Sequence, residues 1–415
     1  MSEPVVIVGA GHAGTQLAAS LREEDYSGPV LLCCDEPHAP YQRPPLSKAY
    51  LKGAAGRDAL ALRGAAFFSA NDIGTRLDDK AVAIDRANRV VRFASGHAQP
   101  YSHLVLATGS RARPAPFPGV DLAGVLTLRN LDDADALKRE LEGARSVAVI
   151  GAGFIGLEFA ATACAAGKRV TVVEAAPRVM GRAVSPLVSH HFADAHRAFG
   201  ATLLTRTLVA AIEGEGGRAA RVRLAEGAPI PADLVLLGIG VLAEDALARD
   251  AGLRCADGIA VDDRLLTSDP HISAIGDCAH HPNGWAGGPI RLESVQNAHD
   301  QARVAARRLA GKPASYAALP WFWSDQGDLK LQIAGLIRDA DTFVVRGEPA
   351  SRSYSVFAYA GSTLRAVESV NRGGDHMAAR RILNEKLVLT PDEAADPRFD
   401  LKAFAMGRMP VRATA

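Results

Sequence analysis

Two glycine-rich segments of the same pattern constrain the fold of this chain more than any other feature. The first is Gly9-Ala10-Gly11-His12-Ala13-Gly14 and the second is Gly151-Ala152-Gly153-Phe154-Ile155-Gly156. Each follows an apolar run that predicts a strand, residues 5–8 and 147–150, and each precedes a stretch compatible with a helix. A glycine turn between a strand and a helix is typical of dinucleotide-binding folds. Because the pattern occurs twice, the sequence predicts two bound dinucleotides and electron transfer between them.

An acidic residue follows each glycine pattern at the spacing that ribose recognition requires. Asp35 lies 21 residues after Gly14 (35 − 14), and Glu174 lies 18 residues after Gly156 (174 − 156). Both acids directly follow a predicted strand, where a carboxylate can accept hydrogen bonds from ribose hydroxyls. The glycines allow the tight turn and the close approach of a pyrophosphate, which then faces the helix N-terminus. The two acids therefore strengthen the prediction of two nucleotide sites.

Glu174 also bears on the choice between the two nicotinamide nucleotides. A carboxylate at this position repels a 2′-phosphate, because two unit charges 4 Å apart interact by about 4 kcal/mol at an effective dielectric constant of 20. We therefore expect NADH to be preferred over NADPH. The guanidinium of Arg178, four residues further on (178 − 174), could instead accommodate the phosphate and is the competing feature.

The order of predicted elements divides the chain into four segments. Each glycine pattern opens a strand–helix–strand unit, and a proline-rich linker over residues 111–119 separates the two units. Strand-like runs and a helix after Pro320 predict a further α+β domain. We expect residues 1–111 and 241–319 to form an FAD-binding domain, 112–240 an NAD-binding domain and 320–415 the C-terminal domain. The predicted fold class is α/β, with two Rossmann-like domains of the glutathione-reductase type and a C-terminal α+β domain.

Charge and cysteine content argue against several other classes of protein. The 47 basic and 46 acidic residues give a net charge of +1, so nucleic acid is not an expected partner. No apolar run is long enough to span a bilayer, and no basic apolar leader precedes the first strand, so we expect a cytoplasmic protein without a membrane partner. The five cysteines lack zinc-like spacing, and we expect no metal site.

Several motifs outside the glycine patterns carry a resemblance to a known family. They are Pro-Tyr-Gln-Arg-Pro-Pro-Leu-Ser-Lys at 40–48, Ala-Thr-Gly at 107–109, Glu158, Ile-Gly-Asp-Cys at 275–278, Glu-Ser-Val-Gln-Asn-Ala at 293–298 and Pro-Trp-Phe-Trp-Ser-Asp-Gln at 320–326. With them, essentially the whole chain resembles the FAD-dependent NADH:ferredoxin reductases of bacterial oxygenase systems. That group includes the putidaredoxin and biphenyl-dioxygenase ferredoxin reductases and belongs to the glutathione-reductase-like superfamily.

The resemblance implies the cofactors and the residues that hold them. It assigns FAD to the first glycine pattern and NADH to the second. The residues it places on FAD are Gly9, Gly11, Ala13, Gly14, Asp35, Arg43, Lys48, Ala81, Arg129, Asp277 and Val295. The residues it places on NADH are Gly151, Gly153, Ile155, Gly156, Glu174, Arg182 and Gly240.

The resemblance also implies three catalytic residues, Lys48, Glu158 and Trp323. Lys48 would lie near flavin N5 and pair with Glu158, which thereby contributes to the cofactor site, and Trp323 would lie at the flavin edge. Structural alternatives stay open from the residues alone. Lys48 and Arg43 could be solvated loop charges, and Trp323 could be a core aromatic. Asp277 could cap a helix, and Arg129 could pair with Asp132 or Asp133.

One departure from the wider superfamily limits the redox reactions that the sequence predicts. Disulfide reductases of this fold carry a cysteine pair in the segment after the second strand, whereas residues 40–51 of this chain contain no cysteine. Cys33 and Cys34 lie upstream, in the predicted strand itself. The sequence therefore disfavours a dithiol relay and favours electrons leaving from the flavin.

The resemblance implies a protein acceptor, an acidic [2Fe–2S] ferredoxin. This ferredoxin would supply a haem-thiolate monooxygenase of the cytochrome P-450 type or a ring-hydroxylating dioxygenase. A basic docking surface is expected, with Arg303, Arg307, Arg308, Arg372, Arg380 and Arg381 as candidates, although these could be solvated helix charges. The alternatives are an NADH oxidase, a reductase of rubredoxin or of a small quinone-like acceptor, and a redox-sensing interaction protein resembling apoptosis-inducing factor.

Overall fold

The computed structural model describes residues 3–408, which divide into two compact units. Unit one contains residues 3–43, 56–111 and 241–320. Unit two contains residues 44–55, 112–240 and 321–408. The short segment 44–55 and the C-terminal part of the chain therefore belong to the same unit as the second glycine pattern.

The strands and helices of both units are numbered here in chain order. The strands are β1 (Val5–Val8), β2 (Val30–Cys33), β3 (Ile73–Arg76), β4 (Ala81–Asp85), β5 (Val90–Phe93), β6 (Ala98–Pro100), β7 (His103–Leu106), β8 (Ser110–Ala112), β9 (Val125–Leu126), β10 (Ser146–Ile150), β11 (Arg169–Val173), β12 (Thr202–Leu204), β13 (Val209–Glu215), β14 (Arg218–Leu224), β15 (Ile230–Pro231), β16 (Leu234–Leu237), β17 (Val241–Ala243), β18 (Cys255–Ala256), β19 (Gly258–Ala260), β20 (Ile272–Ala274), β21 (Ala279–Asn283), β22 (Gly288–Arg291), β23 (Trp321–Gln326), β24 (Leu329–Gly335), β25 (Thr342–Glu348), β26 (Ser353–Ala360) and β27 (Thr363–Val370). The helices are α1 (His12–Glu23), α2 (Phe67–Ala70), α3 (Leu131–Gly143), α4 (Phe154–Ala165), α5 (Pro186–Ala198), α6 (Ala246–Asp250), α7 (Val295–Leu309), α8 (Gly373–Asn384), α9 (Pro391–Ala395) and α10 (Leu401–Ala405).

Unit one is built on a five-stranded parallel sheet of order β20-β7-β1-β2-β3. The central strand β1 is fully buried, as expected for a Val- and Ile-rich strand covered on both faces. Val6 pairs with Leu31 of β2 on one side and with Leu104 of β7 on the other. Helices α1 and α7 pack against each other. The glycine turn after β1 therefore lies at the carboxyl edge of the sheet.

Unit two repeats this architecture in the parallel sheet β12-β11-β10-β16-β9. The buried strand β10 lies between β11 and β16, so the second glycine turn also lies at a carboxyl edge. The C-terminal part forms a separate antiparallel sheet of order β23-β24-β27-β26-β25. Helix α8 packs on β24 and β27 of that sheet.

Two elements differ from the sequence-based expectations. Residues 321–326 form strand β23, which the sequence analysis did not predict, because neither a clear alternation nor a turn marks it off from the proline before it. The sequence predicts a helix from about Ala298 to Leu309, and the observed helix α7 begins three residues earlier, at Val295. Ser294 caps it by accepting the backbone N–H of Asn297 at 3.1 Å. Both differences concern segments that contribute to the candidate site.

Across residues 3–408, no helix combines the length and the hydropathy needed to cross a membrane.

Candidate active site

The first glycine pattern forms a turn that only glycine can make. Gly9 has φ of +111°, and a Cβ there would lie 2.1 Å from the carbonyl oxygen of Ala107, in the turn after β7. A Cβ at Gly14 would lie 1.9 Å from the carbonyl oxygen of Gly9, so this glycine lets α1 approach the turn. No atom lies within 4 Å of a Cβ built on Gly11, which leaves space for a ligand. The Ala-Thr-Gly motif and the first glycine pattern thus meet.

The motif around Asp277 meets the same turn. A Cβ at Gly276 would lie 2.9 Å from the Cβ of Ala13, and the Gly276 N–H donates to Gln301 of α7 at 2.7 Å. A carboxylate oxygen of Asp277 accepts from the Ser110 hydroxyl at 3.2 Å. Val295 opens α7. Residues far apart in the chain therefore converge at the N-terminus of α1.

Asp35, Ala81 and Arg43 lie around the end of β2. The Asp35 side chain is exposed directly after that strand. The backbone N–H of Asp79 donates to the carbonyl of Cys34 at 3.1 Å, which places the start of β4, and hence Ala81, beside the same strand end. Arg43 pairs with Glu36 at 2.6 Å. Nη1 of Arg43 also donates to the Tyr41 hydroxyl at 3.2 Å, so these contacts orient its guanidinium.

The second glycine pattern repeats the geometry of the first. Gly151 has φ of +103°, and a Cβ there would lie 2.4 Å from the carbonyl oxygen of Gly238. A Cβ at Gly156 would lie 2.2 Å from the carbonyl oxygen of Gly151, whereas one at Gly153 would meet no atom within 4 Å. Ile155, in the first turn of α4, exposes 39% of its surface.

Glu174 holds this second turn in place. One carboxylate oxygen accepts the N–H of Ala152 at 2.6 Å, and the other accepts the N–H of Ala176 at 2.8 Å. Each oxygen keeps a lone pair for a ribose hydroxyl. Arg178, the competing feature, donates to the carbonyls of Val184 at 2.6 Å and Gly181 at 2.7 Å. Its guanidinium is therefore occupied by carbonyls of its own loop and does not bond Glu174.

Gly240 lies beside two exposed arginines. A Cβ at Gly240 would lie 3.7 Å from Arg182 Nη2 and 4.0 Å from Arg113 Nε. Arg113 also donates its backbone N–H to the Gly240 carbonyl at 3.0 Å. Neither guanidinium has a carboxylate partner among residues 3–408. Arg182 and Gly240 were expected from the resemblance, whereas Arg113 was not, because its position at the start of the proline-rich linker carries no signal for a nucleotide.

Lys48 and Glu158 form a buried ion pair within unit two. Lys48 Nζ lies 2.9 Å from Glu158 Oε1, and the two side chains are 18% and 6% exposed. The Ser47 hydroxyl donates to Glu158 Oε2 at 2.5 Å, and the Ser324 hydroxyl of β23 donates to Oε1 at 2.6 Å. The predicted pairing is therefore present in the structure, and it rules out a freely solvated Lys48. Sequence reasoning missed both serines.

Trp323 and Arg129 also lie in unit two. Trp323 occupies the residue before Ser324 in β23, so its side chain points to the opposite face of the strand. Its ring centroid lies 5.6 Å from that of Trp321, over which the guanidinium of Arg380 stacks at 4.5 Å. Arg129 is half-buried before α3, and its backbone N–H donates to Asp133 at 2.8 Å. The cofactor roles of both residues stay predictions.

The candidate docking arginines differ in their exposure. Arg303 and Arg307 are exposed on α7, and Arg303 pairs with Asp300 at 3.2 Å. Arg308 does not share their surface, because one further residue turns a helix by about 100°. Its Nη2 donates to the Ser273 hydroxyl at 2.5 Å, and burial lowers its pKa to about 10. Arg372 pairs with Asp375 at 2.6 Å, and Arg381 with Glu385 at 2.7 Å.

The cysteines of the structure do not form a dithiol centre. Burial raises the pKa of Cys33 to about 12 and also raises the pKa of Cys34, so the reactive thiolate is disfavoured in both residues. Cys278 is buried, with its thiol donating to the carbonyls of Leu106 and Ile275.

Both glycine turns fit a dinucleotide. The N-cap residues of α1 and α4 are Gly11 and Gly153, and neither helix has a side chain that caps its first N–H groups. These amides face the open space above each glycine, where a pyrophosphate can accept their hydrogen bonds. The residues present therefore suit FAD in unit one and a nicotinamide nucleotide in unit two.

Comparisons with known proteins agree with this geometry. Residues 3–302 match the family described as pyridine nucleotide-disulphide oxidoreductase, and residues 321–405 match the reductase C-terminal family. The chain is 48% identical to rhodocoxin reductase of Rhodococcus erythropolis over 398 residues, which are 96% of this chain and 93% of that protein.

Two solved structures resemble the chain over nearly its whole length. The ferredoxin reductase for the CYP199A2 system of Rhodopseudomonas palustris is 50% identical, with a TM-score of 0.95 and coverage of 97% of this chain and 100% of that one. The covalent putidaredoxin reductase–putidaredoxin complex contains a chain that is 38% identical, with a TM-score of 0.94 and coverage of 98% and 99%. The predicted fold class is confirmed.

Proposed function

Because the chain belongs to the pyridine nucleotide-disulphide oxidoreductase family, we propose that it is an FAD-dependent NADH:ferredoxin reductase. The observation that carries this function is the buried Lys48–Glu158 pair, whose lysine lies in a segment, residues 40–51, without cysteines. The family uses FAD and NAD(P)H. When bound, FAD supplies the chemistry that takes two electrons as a hydride and releases them one at a time. A chain of this kind needs a protein or small molecule that accepts the electrons.

The chain's own residues bind and orient the cofactors. Gly9, Gly11 and Gly14 would admit the FAD pyrophosphate to the N-terminus of α1, and Asp35 would accept from the adenosine ribose. Gly151, Gly153 and Gly156 perform the same task for the nicotinamide nucleotide in unit two. Lys48 provides a fixed positive charge, which Glu158 holds in one position. A preorganised charge in a site that excludes water stabilises developing negative charge more than water does.

The preference for NADH rests on Glu174 and Arg178. The Glu174 carboxylate is fixed by two backbone amides, and Arg178 is occupied by two carbonyls of its own loop. A 2′-phosphate would therefore meet the negative charge of Glu174, and Arg178 would not compensate it. We expect kcat/KM to be at least about tenfold higher with NADH than with NADPH, since about 1.4 kcal/mol corresponds to tenfold. Equal values in steady-state assays with both nucleotides would contradict this preference.

The acceptor of this proposal is an acidic [2Fe–2S] ferredoxin that supplies a P-450-type monooxygenase or a ring-hydroxylating dioxygenase. Support comes from two similar proteins: one is a ferredoxin reductase for a CYP199A2 system, and another was solved in covalent complex with putidaredoxin. The basic residues that a ferredoxin would contact are the exposed Arg303 and Arg307 of unit one, together with Arg372 and Arg380 of unit two.

The proposed function is tested by NADH-driven reduction of cytochrome c with and without an added [2Fe–2S] ferredoxin. Reduction that depends strongly on the ferredoxin supports the proposal. Rapid oxygen consumption without any added acceptor would instead identify an oxidase, and efficient reduction of rubredoxin in place of ferredoxin would identify a rubredoxin reductase.

A further inference from the structure

Three even-numbered residues of β23 face the helix that follows the second glycine turn. Phe322, Ser324 and Gln326 are spaced by two, so their side chains point to the same side of the strand. The Phe322 ring lies 4.5 Å from the ring of Phe154, the first residue of α4. Ser324 bonds Glu158, one turn further along that helix. The C-terminal sheet thus contacts both the nucleotide turn and the ion pair within unit two.

Ser324 donates to the same carboxylate oxygen that Lys48 contacts. Glu158 Oε1 receives Lys48 Nζ at 2.9 Å and the Ser324 hydroxyl at 2.6 Å, and Ser324 is completely buried. Hydrogen bonds to a charged group are about twice as strong as those between neutral groups. Without the serine, the carboxylate would lose one of the contacts that fix its orientation, and Lys48 would lose its fixed partner.

Gln326 sets the direction in which the Ser324 hydroxyl points. The Gln326 amide nitrogen donates to Ser324 Oγ at 3.1 Å and to the sulfur of Met180 at 3.5 Å. Its carbonyl oxygen lies 2.8 Å from Nε2 of His196. Burial lowers the pKa of His196, so this histidine is neutral, and Nε2 carries the proton that the glutamine accepts. With its oxygen accepting from Gln326, the hydroxyl of Ser324 has its single proton left for Glu158.

Met180 joins this chain of hydrogen bonds to the nucleotide turn. Its backbone N–H donates to the carbonyl of Ala152 at 2.9 Å, inside the second glycine pattern. Met180 has φ of +49°, a left-handed conformation that side-chain-bearing residues seldom adopt. A continuous set of contacts therefore runs from Ala152 through Met180, Gln326 and Ser324 to Glu158.

We propose that Ser324 and Gln326 of the C-terminal sheet are positioning residues for the Lys48–Glu158 ion pair. They act through Glu158, and they connect the placement of the pair to the loop that borders the nicotinamide nucleotide. This inference rests on the proposed function only in that the ion pair serves flavin reduction by NADH. The acceptor that takes the electrons afterwards plays no part in it.

The first test measures flavin reduction by NADH in the FAD-loaded protein under anaerobic stopped-flow conditions. We expect Ser324→Ala to slow the limiting rate about tenfold with little change in the Kd for NADH, and Ser324→Thr to restore most of the rate. Gln326→Leu should give a smaller loss in the same direction. Ser369→Ala is the matched control, because it removes a buried hydroxyl that accepts from Ser355 in the same sheet and does not bond Glu158.

A double-mutant cycle shows whether Ser324 acts through the ion pair. In a Lys48→Met background, Ser324→Ala should cause no further loss of rate, because the charge that it helps to place is gone. Multiplicative losses in the double variant would overturn the proposal. So would a Ser324→Ala variant that reduces its flavin as fast as the wild-type protein.

A second readout does not depend on catalysis. Acylation of Lys48 by a water-soluble reagent is followed by mass spectrometry, with exposed Lys52 of the same segment as internal reference. Lys48 should be labelled several-fold faster, relative to Lys52, in Ser324→Ala than in the wild type or in Ser369→Ala. Equal labelling in all three proteins would overturn the positioning role. A wild-type protein that fails to reduce ferredoxin, but gives these results, would contradict the proposed acceptor alone.

Discussion

At the scale of single residues, the contacts of Glu158 organise the candidate site. One carboxylate holds Lys48 and accepts from two serines, Ser47 and Ser324. The role of Lys48 was expected from the family resemblance, to which the motif at 40–48 contributes. The serines could not be predicted, because a serine in a loop or a strand is common and its hydroxyl carries no signal until the chain is folded.

Replacing Lys48 by methionine should slow flavin reduction while FAD stays bound. The change keeps the length of the side chain but removes the positive charge that faces Glu158. Because charged hydrogen bonds contribute about 1.5–3 kcal/mol, we expect a loss of at least about tenfold in the stopped-flow rate. Visible absorbance of the purified protein provides the control for FAD content. An unchanged rate would exclude a catalytic role for the lysine.

The buried carboxyl of Glu368 should make the free energy of unfolding of unit two depend on pH. Burial raises the pKa of this carboxyl from 4.5 to about 7, although it accepts the Ser185 N–H at 2.8 Å. Between these two values the folded protein holds a proton that the unfolded chain releases, so the free energy of unfolding falls as pH rises. The full fall amounts to about 3 kcal/mol.

Glu368→Gln should remove this fall, because the amide keeps an acceptor for Ser185 and carries no charge. Urea unfolding of the wild type and the variant at pH 5 and pH 8 measures the difference. Glu226→Gln, at an exposed position, provides the comparison. If the variant lost as much stability as the wild type between the two pH values, Glu368 would not be the group responsible.

At the scale of elements, the two strand–turn–helix units were predictable because backbone sterics act locally. A glycine with positive φ, flanked by a buried strand and a helix, leaves few alternative structures. The sequence predicts helices over about 12–24 and 155–166, and the observed helices α1 and α4 begin at residues 12 and 154. Strand β23 was not predictable in this way, since its six residues are stabilised by pairing with β24 and by packing on α4.

Substitution of the middle glycine of each pattern should affect ligand binding more than folding. Gly11→Ala should weaken FAD binding, and Gly153→Ala should raise the KM for NADH, because the added methyl fills the space above the helix N-terminus. Each change should cost less than about 1 kcal/mol in folding, since no protein atom lies within 4 Å of the new Cβ. FAD content, KM and thermal unfolding are the measurements.

Gly156→Ala is the matched contrast in the second unit. Its Cβ would lie 2.2 Å from a backbone oxygen, so this variant should lose stability as well as nucleotide binding. Similar unfolding temperatures for the alanine variants at 153 and 156 would contradict this distinction.

At the scale of the whole molecule, electrostatics bear on the protein acceptor. The net charge of +1 predicts no general attraction to an acidic partner, so attraction would come from local groups such as Arg303 and Arg307. Charges steer a partner over about 10 Å at 0.1 M salt. We therefore expect kcat/KM for an acidic ferredoxin to fall steeply as ionic strength rises, and the reduction of an uncharged quinone by NADH to change little.

Reversing the charge of a single arginine tests whether the surface of α7 binds the ferredoxin. Arg303 pairs with the acid three residues before it and is 57% exposed, and Arg197 on α5 has the same arrangement and is 53% exposed. Arg303→Glu should raise the KM for ferredoxin several-fold, and Arg197→Glu should leave it near the wild-type value. Equal effects of the two reversals would show that only net charge matters, and no effect at 303 would remove α7 from the docking surface.

Fold class, family and the two nucleotide turns could be predicted from the amino-acid sequence alone, because they depend on backbone freedom and on the order of short motifs. The pairing of Lys48 with Glu158 was also expected from the family resemblance. Only the tertiary structure decided what fixes that pair, since Ser324 lies 166 residues from Glu158 in the chain. The fold likewise bonded half-buried Arg308 to Ser273 and placed Arg113 beside Gly240. Such contacts depend on packing between distant segments, and no local pattern encodes them.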